Sequence, residues 1–167
     1  YDDNRRLTGI SYPDGTTLSL TYDVMGNVTA RKESGSGLSI DTGYEYDELG
    51  RVLSVVNGDG TPIAAYNYDT NNNVTSARNA NPVSRTLQYD ALNRLVTETD
   101  ELGYSHKTQY NSHDAVTQYT DGNSARTTYT RNGLDQITRR VSPDTGTTTY
   151  AYDDAGNLTG LTLADGT

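Results

Sequence analysis

The 167-residue chain has no Cys, no Phe and no Trp, one Met, four Pro and two His. Absence of Cys removes disulfides, thiolate zinc sites and thiol nucleophiles, and it fits either a cytosolic protein or a bacterial exported one. With neither Phe nor Trp, 14 Tyr supply every aromatic ring, so a conventional thick core is not expected. Leu, Ile and Val together number 28 and the net charge is −9, a composition that by itself reads as disorder. No run of about 18 apolar residues is present to span a bilayer. With 22 acidic against 13 basic residues, a surface for nucleic acid or anionic lipid is disfavoured, because phosphate binding relies on clustered Lys and Arg. No charged-then-apolar leader precedes Tyr1, so this stretch carries no address of its own.

What is present is a repeat. The segments YDVMGNVTA, YDELGRVLS, YDTNNNVTS, YDALNRLVT and YDDAGNLTG align, and copies start at Tyr1, Tyr22, Tyr46, Tyr68, Tyr89, Tyr110, Arg131 and Tyr152. Steps near 21 residues kept in register argue against disorder and for a repeat architecture. The second position is Asp2, Asp23, Asp47, Asp69, Asp90, Asn111, Asn132 and Asp153, a side chain suited to accept a hydrogen bond from the backbone N–H two residues on. The fifth is Arg5, Gly26, Gly50, Asn72, Asn93, Asp114, Asp135 and Gly156. Seven of these are the residue types that best tolerate a left-handed backbone, and Arg5 reads as a frayed first copy. Together the two positions predict a type I turn followed by a left-handed residue, a common hairpin connection.

The seventh position is always aliphatic: Leu7, Val28, Val52, Val74, Leu95, Val116, Ile137 and Leu158. The sixth is Arg, Asn, Ala or Gln. Two residues before the motif Tyr stand Leu20, Tyr44, Tyr66, Leu87, Thr108, Tyr129 and Tyr150, so a strand of period two enters each turn. Where Arg131 replaces the motif Tyr, Tyr129 keeps an aromatic ring on that face. A second set of turn signals lies between motifs, at Pro13-Asp14-Gly15, Gly35-Ser36-Gly37, Gly58-Asp59-Gly60, Asn81-Pro82, Leu102-Gly103, Asp121-Gly122, Pro143 to Gly146 and Asp165-Gly166. Each repeat is therefore strand, turn, strand, turn, and about fifteen strands form an antiparallel meander that must twist and curl. No copy buries enough to fold alone, so neighbours must support one another. The opening on a motif Tyr and the end inside a turn signal read as a fragment of a longer chain: one array over residues 1–167.

The Tyr-Asp opening, the Gly/Asn–Arg/Asn–Leu/Val–Thr continuation and the step near 21 resemble the YD repeats of bacterial Rhs proteins, of the C components of insecticidal toxin complexes and of teneurins. Bacterial Rhs is read as the nearer, since teneurins have disulfide-bearing domains and this chain has no Cys. The resemblance implies an all-β strip spiralling into a hollow shell that encloses a C-terminal effector polypeptide, in a secreted or cell-surface bacterial protein. It implies further repeats, a self-cleaving core segment and the effector as partners; neither the core segment nor the effector is recognisable in these residues. A cell-surface adhesion or carbohydrate-binding module is the alternative, and self-association through exposed strand edges is expected of a fragment.

Other residues suggest chemistry and are weighed against plainer roles. Asp41-Thr42-Gly43 and Asp144-Thr145-Gly146 carry the aspartic-protease tripeptide, but they occupy different repeat positions, and turn carboxylates are the expectation. Asp69 to Asn73 resembles the start of a calcium loop, yet Val74 stands where the loop needs Gly and Ala80 where it needs Glu. His106 and His113 have no nucleophile pattern around them. Asn27-Val28-Thr29, Asn73-Val74-Thr75 and Asn157-Leu158-Thr159 match the glycosylation acceptor, but the repeat itself generates them. The pairs Tyr44/Tyr46, Tyr66/Tyr68 and Tyr150/Tyr152 suit sugar stacking or, as expected here, a cross-strand ladder. No enzyme, cofactor or metal is expected.

Overall fold

A computed structural model describes residues 1–35 and 37–164. Among them there is no helix, and fifteen strands run antiparallel in chain order. The chain divides into two compact units, Tyr1–Ser84 and Arg85–Thr167. The first holds β1 (Gly9–Ser11), β2 (Thr17–Tyr22), β3 (Val28–Gly35), β4 (Leu38–Tyr46), β5 (Val52–Asn57), β6 (Pro62–Tyr68) and β7 (Val74–Arg78). The second holds β8 (Arg85–Tyr89), β9 (Leu95–Thr99), β10 (Ser105–Tyr110), β11 (Val116–Thr120), β12 (Arg126–Arg131), β13 (Ile137–Ser142), β14 (Gly146–Tyr152) and β15 (Leu158–Thr162). Within each unit every strand pairs with its chain neighbours, an all-β hairpin meander.

The motif sets the strand ends. From β2 onward, each strand that closes on the first motif position is followed by one that opens on the seventh: Tyr22 then Val28, Tyr46 then Val52, and so on to Tyr152 then Leu158. These two residues are Cα partners across the hairpin, while the residue before the Tyr pairs with the ninth position. The eighth residue, for example Thr29 or Leu53, is thus one extra residue in the second strand. That is a β-bulge, which locally increases twist. A residue in the left-handed region three places after the turn-opening Asp or Asn is the geometry that produces such a bulge in a hairpin.

All eight fifth-position residues take that conformation: Arg5 (φ 61°), Gly26 (94°), Gly50 (75°), Asn72 (69°), Asn93 (61°), Asp114 (63°), Asp135 (60°) and Gly156 (85°). The expectation of a frayed first copy is corrected here, because Arg5 N–H donates to Asp2 O (2.9 Å) and Asp2 N–H to Arg6 O (2.9 Å) as in the other turns. The formed hairpin holds an unbranched residue in a conformation that costs an L-residue roughly 1–2 kcal/mol. Arg5→Gly is therefore expected to raise stability by about 0.5 kcal/mol, the relief being partly offset by the flexibility of glycine in the unfolded chain. The urea midpoint would rise, and an unchanged or lower midpoint would contradict this.

The same five-residue turn recurs on the opposite ends of the strands. Tyr12, Asn57, Asp100 and Asp121 each accept the N–H of the residue three on and donate to the carbonyl four on, with Gly15, Gly60, Gly103 and Ser124 left-handed. In the Asp121 turn the left-handed residue is Ser124. Ser36 and the signal at Asp165-Gly166 lie outside the described residues.

No apolar side chain among the described residues is fully buried, and the sole buried residue is Thr148, 2% exposed. Ordering comes instead from ladders of backbone bonds and from half-buried side chains packed on their cross-strand neighbours.

Candidate functional site

The feature that recurs, and so the candidate for what this chain does, is the motif rim. Its first element is the turn carboxylate. Oδ1 of the second-position residue accepts the backbone N–H of the sixth position in all eight copies. In seven it also accepts the N–H two residues on. Oδ2 takes the sixth side chain: Arg6, Arg51 and Arg94 as ion pairs at 2.7 Å, Asn27, Asn73 and Asn157 as amide donors. At Asn132 the roles reverse, and its amide donates to Gln136 Oε1 (2.7 Å).

The second element is the motif Tyr, whose hydroxyl reaches back to the seventh-position carbonyl of the preceding copy. Tyr22 donates to Leu7 O (2.7 Å), Tyr46 to Val28 O (2.8 Å), Tyr68 to Val52 O (2.9 Å), Tyr110 to Leu95 O (3.0 Å) and Tyr152 to Ile137 O (2.9 Å). Arg131, which replaces the Tyr, keeps this bond. Its Nη2 and Nε donate to Val116 O (3.1 and 3.3 Å), and Nη1 donates to Asp135 O (2.7 Å).

The third element was not legible as such in the sequence. An Arg at the sixth position lies over the Tyr ring of the next copy: Arg6 over Tyr22 (4.7 Å), Arg51 over Tyr68 (4.5 Å) and Arg94 over Tyr110 (4.7 Å). The same guanidinium donates to the turn carbonyl of that next copy, Asp23 O, Asp69 O and Asn111 O respectively. Gln136 reaches Gly156 O in the same direction (2.9 Å). Where it is Arg, the sixth residue therefore clamps its own Asp and the following hairpin, a cation–π and charge-assisted contact at once. Ala115 has no polar side chain to reach forward, and it precedes Arg131, where a second guanidinium would meet the first. Arg three times before Tyr, and Ala once before Arg, was the signal available.

Electrostatics follow from this geometry. The Asn27 amide holds the Asp23 carboxyl below the ordinary range, the Arg51 N–H and side chain do so for Asp47, and the Asn73, Arg94 and Asn157 side chains for Asp69, Asp90 and Asp153. Burial pushes the Tyr46 and Tyr68 hydroxyls up. A depressed carboxyl contributes stability that is present above its unfolded value, about 3.9, and lost as pH falls through the folded one. A raised phenol contributes stability present below about 10 and lost as pH rises through its folded value. Urea midpoints are therefore expected to stay level at neutral pH and fall at both extremes, with a shallower acid limb for Asp47→Asn. A midpoint that holds steady below pH 3 would contradict the carboxylate role.

The teneurin YD-shell family description matches residues 8–108, more than half of the chain. The chain belongs to the teneurin YD-shell family. The Rhs repeat matches residues 132–167 of this YD-shell chain. No curated protein matches. Among solved structures, a chain of the TcdB2–TccC3–Cdc42 crystal structure superposes with a TM-score of 0.63 at 12% identity over 91% of this chain, and one of TcdB2–TccC3 with 0.62 at 12% over 88%. That likeness is one of fold, and the YD-shell chain spans 9% of the length of either.

The remaining candidates fall on ordinary positions of the YD-shell fold. Asp41 stands within β4, 3.3 Å from Lys32 Nζ, and Asp144 is exposed in the β13–β14 turn of the other unit. The Asp69 carboxylate is occupied by the N–H groups of Asn71 and Asn73 and the Asn73 amide. Among the described residues, no three His, Asp or Glu side chains are grouped to hold a metal ion. His106 Nδ1 meets the Tyr119 hydroxyl (2.8 Å) and His113 Nδ1 meets Asp135 Oδ2 (2.6 Å). The amide nitrogens of Asn27, Asn73 and Asn157, where a glycan would attach, are all engaged by turn carboxylates. Tyr46, Tyr68 and Tyr152 have their hydroxyls bound to backbone carbonyls, so that polar tip is not available to a sugar.

Proposed function

We propose that the chain is a non-catalytic wall segment of an Rhs-like toxin shell that encapsulates and shields a C-terminal effector polypeptide before delivery. The observation that carries this reading is the handover between copies. Five motif Tyr hydroxyls, and Arg131 in place of a sixth, bind the preceding copy, and the sixth-position Arg6, Arg51, Arg94 and Gln136 reach the following one. Contacts that run from copy to neighbouring copy are those of a wall extended repeat by repeat. YD-shell membership and the fold shared with chains of TcdB2–TccC3 complexes support the toxin-shell reading.

On this reading residues 1–167 are a single array, part of a larger bacterial protein that is secreted or displayed at the cell surface. Its motif residues, from Tyr22, Asp23, Gly26 and Val28 through Tyr152, Asp153, Gly156 and Leu158, act in folding and not in chemistry. Its partners are the further repeats, core segment and effector of the parent chain, and the isolated segment self-associates through strand edges. The test is limited proteolysis of the parent protein. The polypeptide downstream of the repeats should resist digestion while the wall is intact and be cut once the wall is unfolded in urea. Digestion at equal rates in both states overturns encapsulation. Saturable, Tyr-dependent binding on a glycan array would favour the adhesion reading in its place.

A further inference from the structure

The chain contains two Asn-Gly pairs, Asn57-Gly58 and Asn132-Gly133. Such pairs are prone to one reaction. The backbone nitrogen of the glycine attacks the asparagine Cγ, unhindered because glycine has no side chain. A nitrogen–carbon bond forms to close a succinimide, the Cγ–Nδ2 bond breaks, and ammonia leaves with the proton of the attacking nitrogen. Water then opens the ring at either carbonyl to give aspartate or isoaspartate. No electrons are transferred, and water is the only co-reactant.

The fold places both pairs at the first two positions of the same turn. Asn57 N–H donates to Thr61 O (2.8 Å) and Gly60 N–H to Asn57 O (2.8 Å); Asn132 N–H donates to Gln136 O (3.0 Å) and Asp135 N–H to Asn132 O (3.1 Å). The third residue after each Asn is left-handed, Gly60 at φ 84° and Asp135 at 60°. Backbone geometry therefore does not distinguish the two. The side chains do. Asn132 Oδ1 accepts from Leu134 N–H and Gln136 N–H (3.0 Å each), and its Nδ2 donates to Gln136 Oε1 (2.7 Å). Asn132 is half-buried. At Asn57 the job of capping the turn passes to Asp59, whose Oδ1 accepts Thr61 N–H (2.8 Å). The exposed Asn57 amide makes no hydrogen bond among the described residues.

We propose that Asn57 is a site of spontaneous, water-consuming deamidation in the folded chain, and that Asn132 is protected from the same reaction by its turn-capping bonds. Attack requires Cγ to swing toward the glycine nitrogen. Asn57 makes that rotation without losing a bond, whereas Asn132 must give up three. The product matters locally, because the backbone at Gly58 packs tightly on Asp41, so closely that even a Cβ there would lie 2.5 Å from Asp41 Cβ. A new carboxylate at position 57 joins Asp41 and Asp59 in a crowded acidic turn, and isoaspartate adds a backbone carbon to a turn that is otherwise identical to its relatives.

The test is incubation of the 167-residue chain at mildly alkaline pH, followed by peptide mapping with mass spectrometry that separates aspartate from isoaspartate. Folded, Asn57 should convert at least about tenfold faster than Asn132, the ratio expected from losing several net hydrogen bonds. In urea the ratio should fall toward unity, because the two dipeptides are the same. Gln136→Ala, checked for retained β-structure by circular dichroism, should speed Asn132 and leave Asn57 unchanged. Equal rates in the folded chain, faster conversion at Asn132, or an Asn132 rate unmoved by Gln136→Ala would each overturn the proposal.

Discussion

Tyr68→Ala is expected to destabilise the first unit by about 2–4 kcal/mol, toward the lower end of what truncating a large core side chain costs. The ring carries three contacts at once. Its hydroxyl donates to Val52 O at 2.9 Å, its face receives the Arg51 guanidinium at 4.5 Å, and its Cα partner across the hairpin is Val74. Truncation strands the Val52 carbonyl and leaves Arg51 with its other partners alone, Asp47, Asp69 O and the Asn72 amide oxygen. Tyr68→Phe removes only the hydroxyl and should cost about 1 kcal/mol, the usual net worth of a single hydrogen bond. Urea unfolding followed by circular dichroism measures both. If Phe costs as much as Ala, the hydrogen bond and not the packing holds the copies together, and the argument from ring contacts fails.

The second large effect is a coupling. Ala115→Arg places a guanidinium where Arg131 already reaches across to Val116 O and Asp135 O; Asp135, which stands where Asp114 meets Arg94, already holds Asn111 and His113, so a second like charge at close range is destabilising. Arg131→Tyr alone keeps the carbonyl bond through the phenol, as Tyr110 does with Leu95 O. The double variant rebuilds the Arg-over-Tyr clamp seen at Arg94 and Tyr110. Double-mutant cycles between touching side chains give about 0.5–3 kcal/mol, and here the double variant should exceed the sum of the single changes by about that amount. Strict additivity would mean that the sixth and first positions do not interact and that Ala115 next to Arg131 is coincidence.

Much of this was legible in the sequence because the repeat averages out local ambiguity. A single Tyr-Asp pair says little, but eight aligned second positions of Asp or Asn and eight aliphatic seventh positions specify where each strand ends and the next begins. What was not legible depended on directions in space. Arg5 looked wrong for a left-handed residue, yet two flanking backbone bonds hold it there. Arg131 looked like a lost aromatic, yet its guanidinium extends to the carbonyl that a phenol would have reached. The sixth position varied in identity, so its forward clamp emerges only once the adjacent hairpin is in place. The Asp121-Gly122 signal marked a turn but not its left-handed step, which falls at Ser124 because the carboxylate, capping Asn123 and Ala125, fixes which residue comes third after it.

The order of the strands has one more consequence. Within each unit every strand pairs only with the strands next to it in the chain, so no pairing has to wait for a distant segment to be synthesised. In β-sandwiches the early strands stay open until late ones arrive, and that long search is what makes such folds slow. Here each hairpin can dock on the one before it as it emerges from the ribosome, and a chain drawn out from one end can come apart one hairpin at a time.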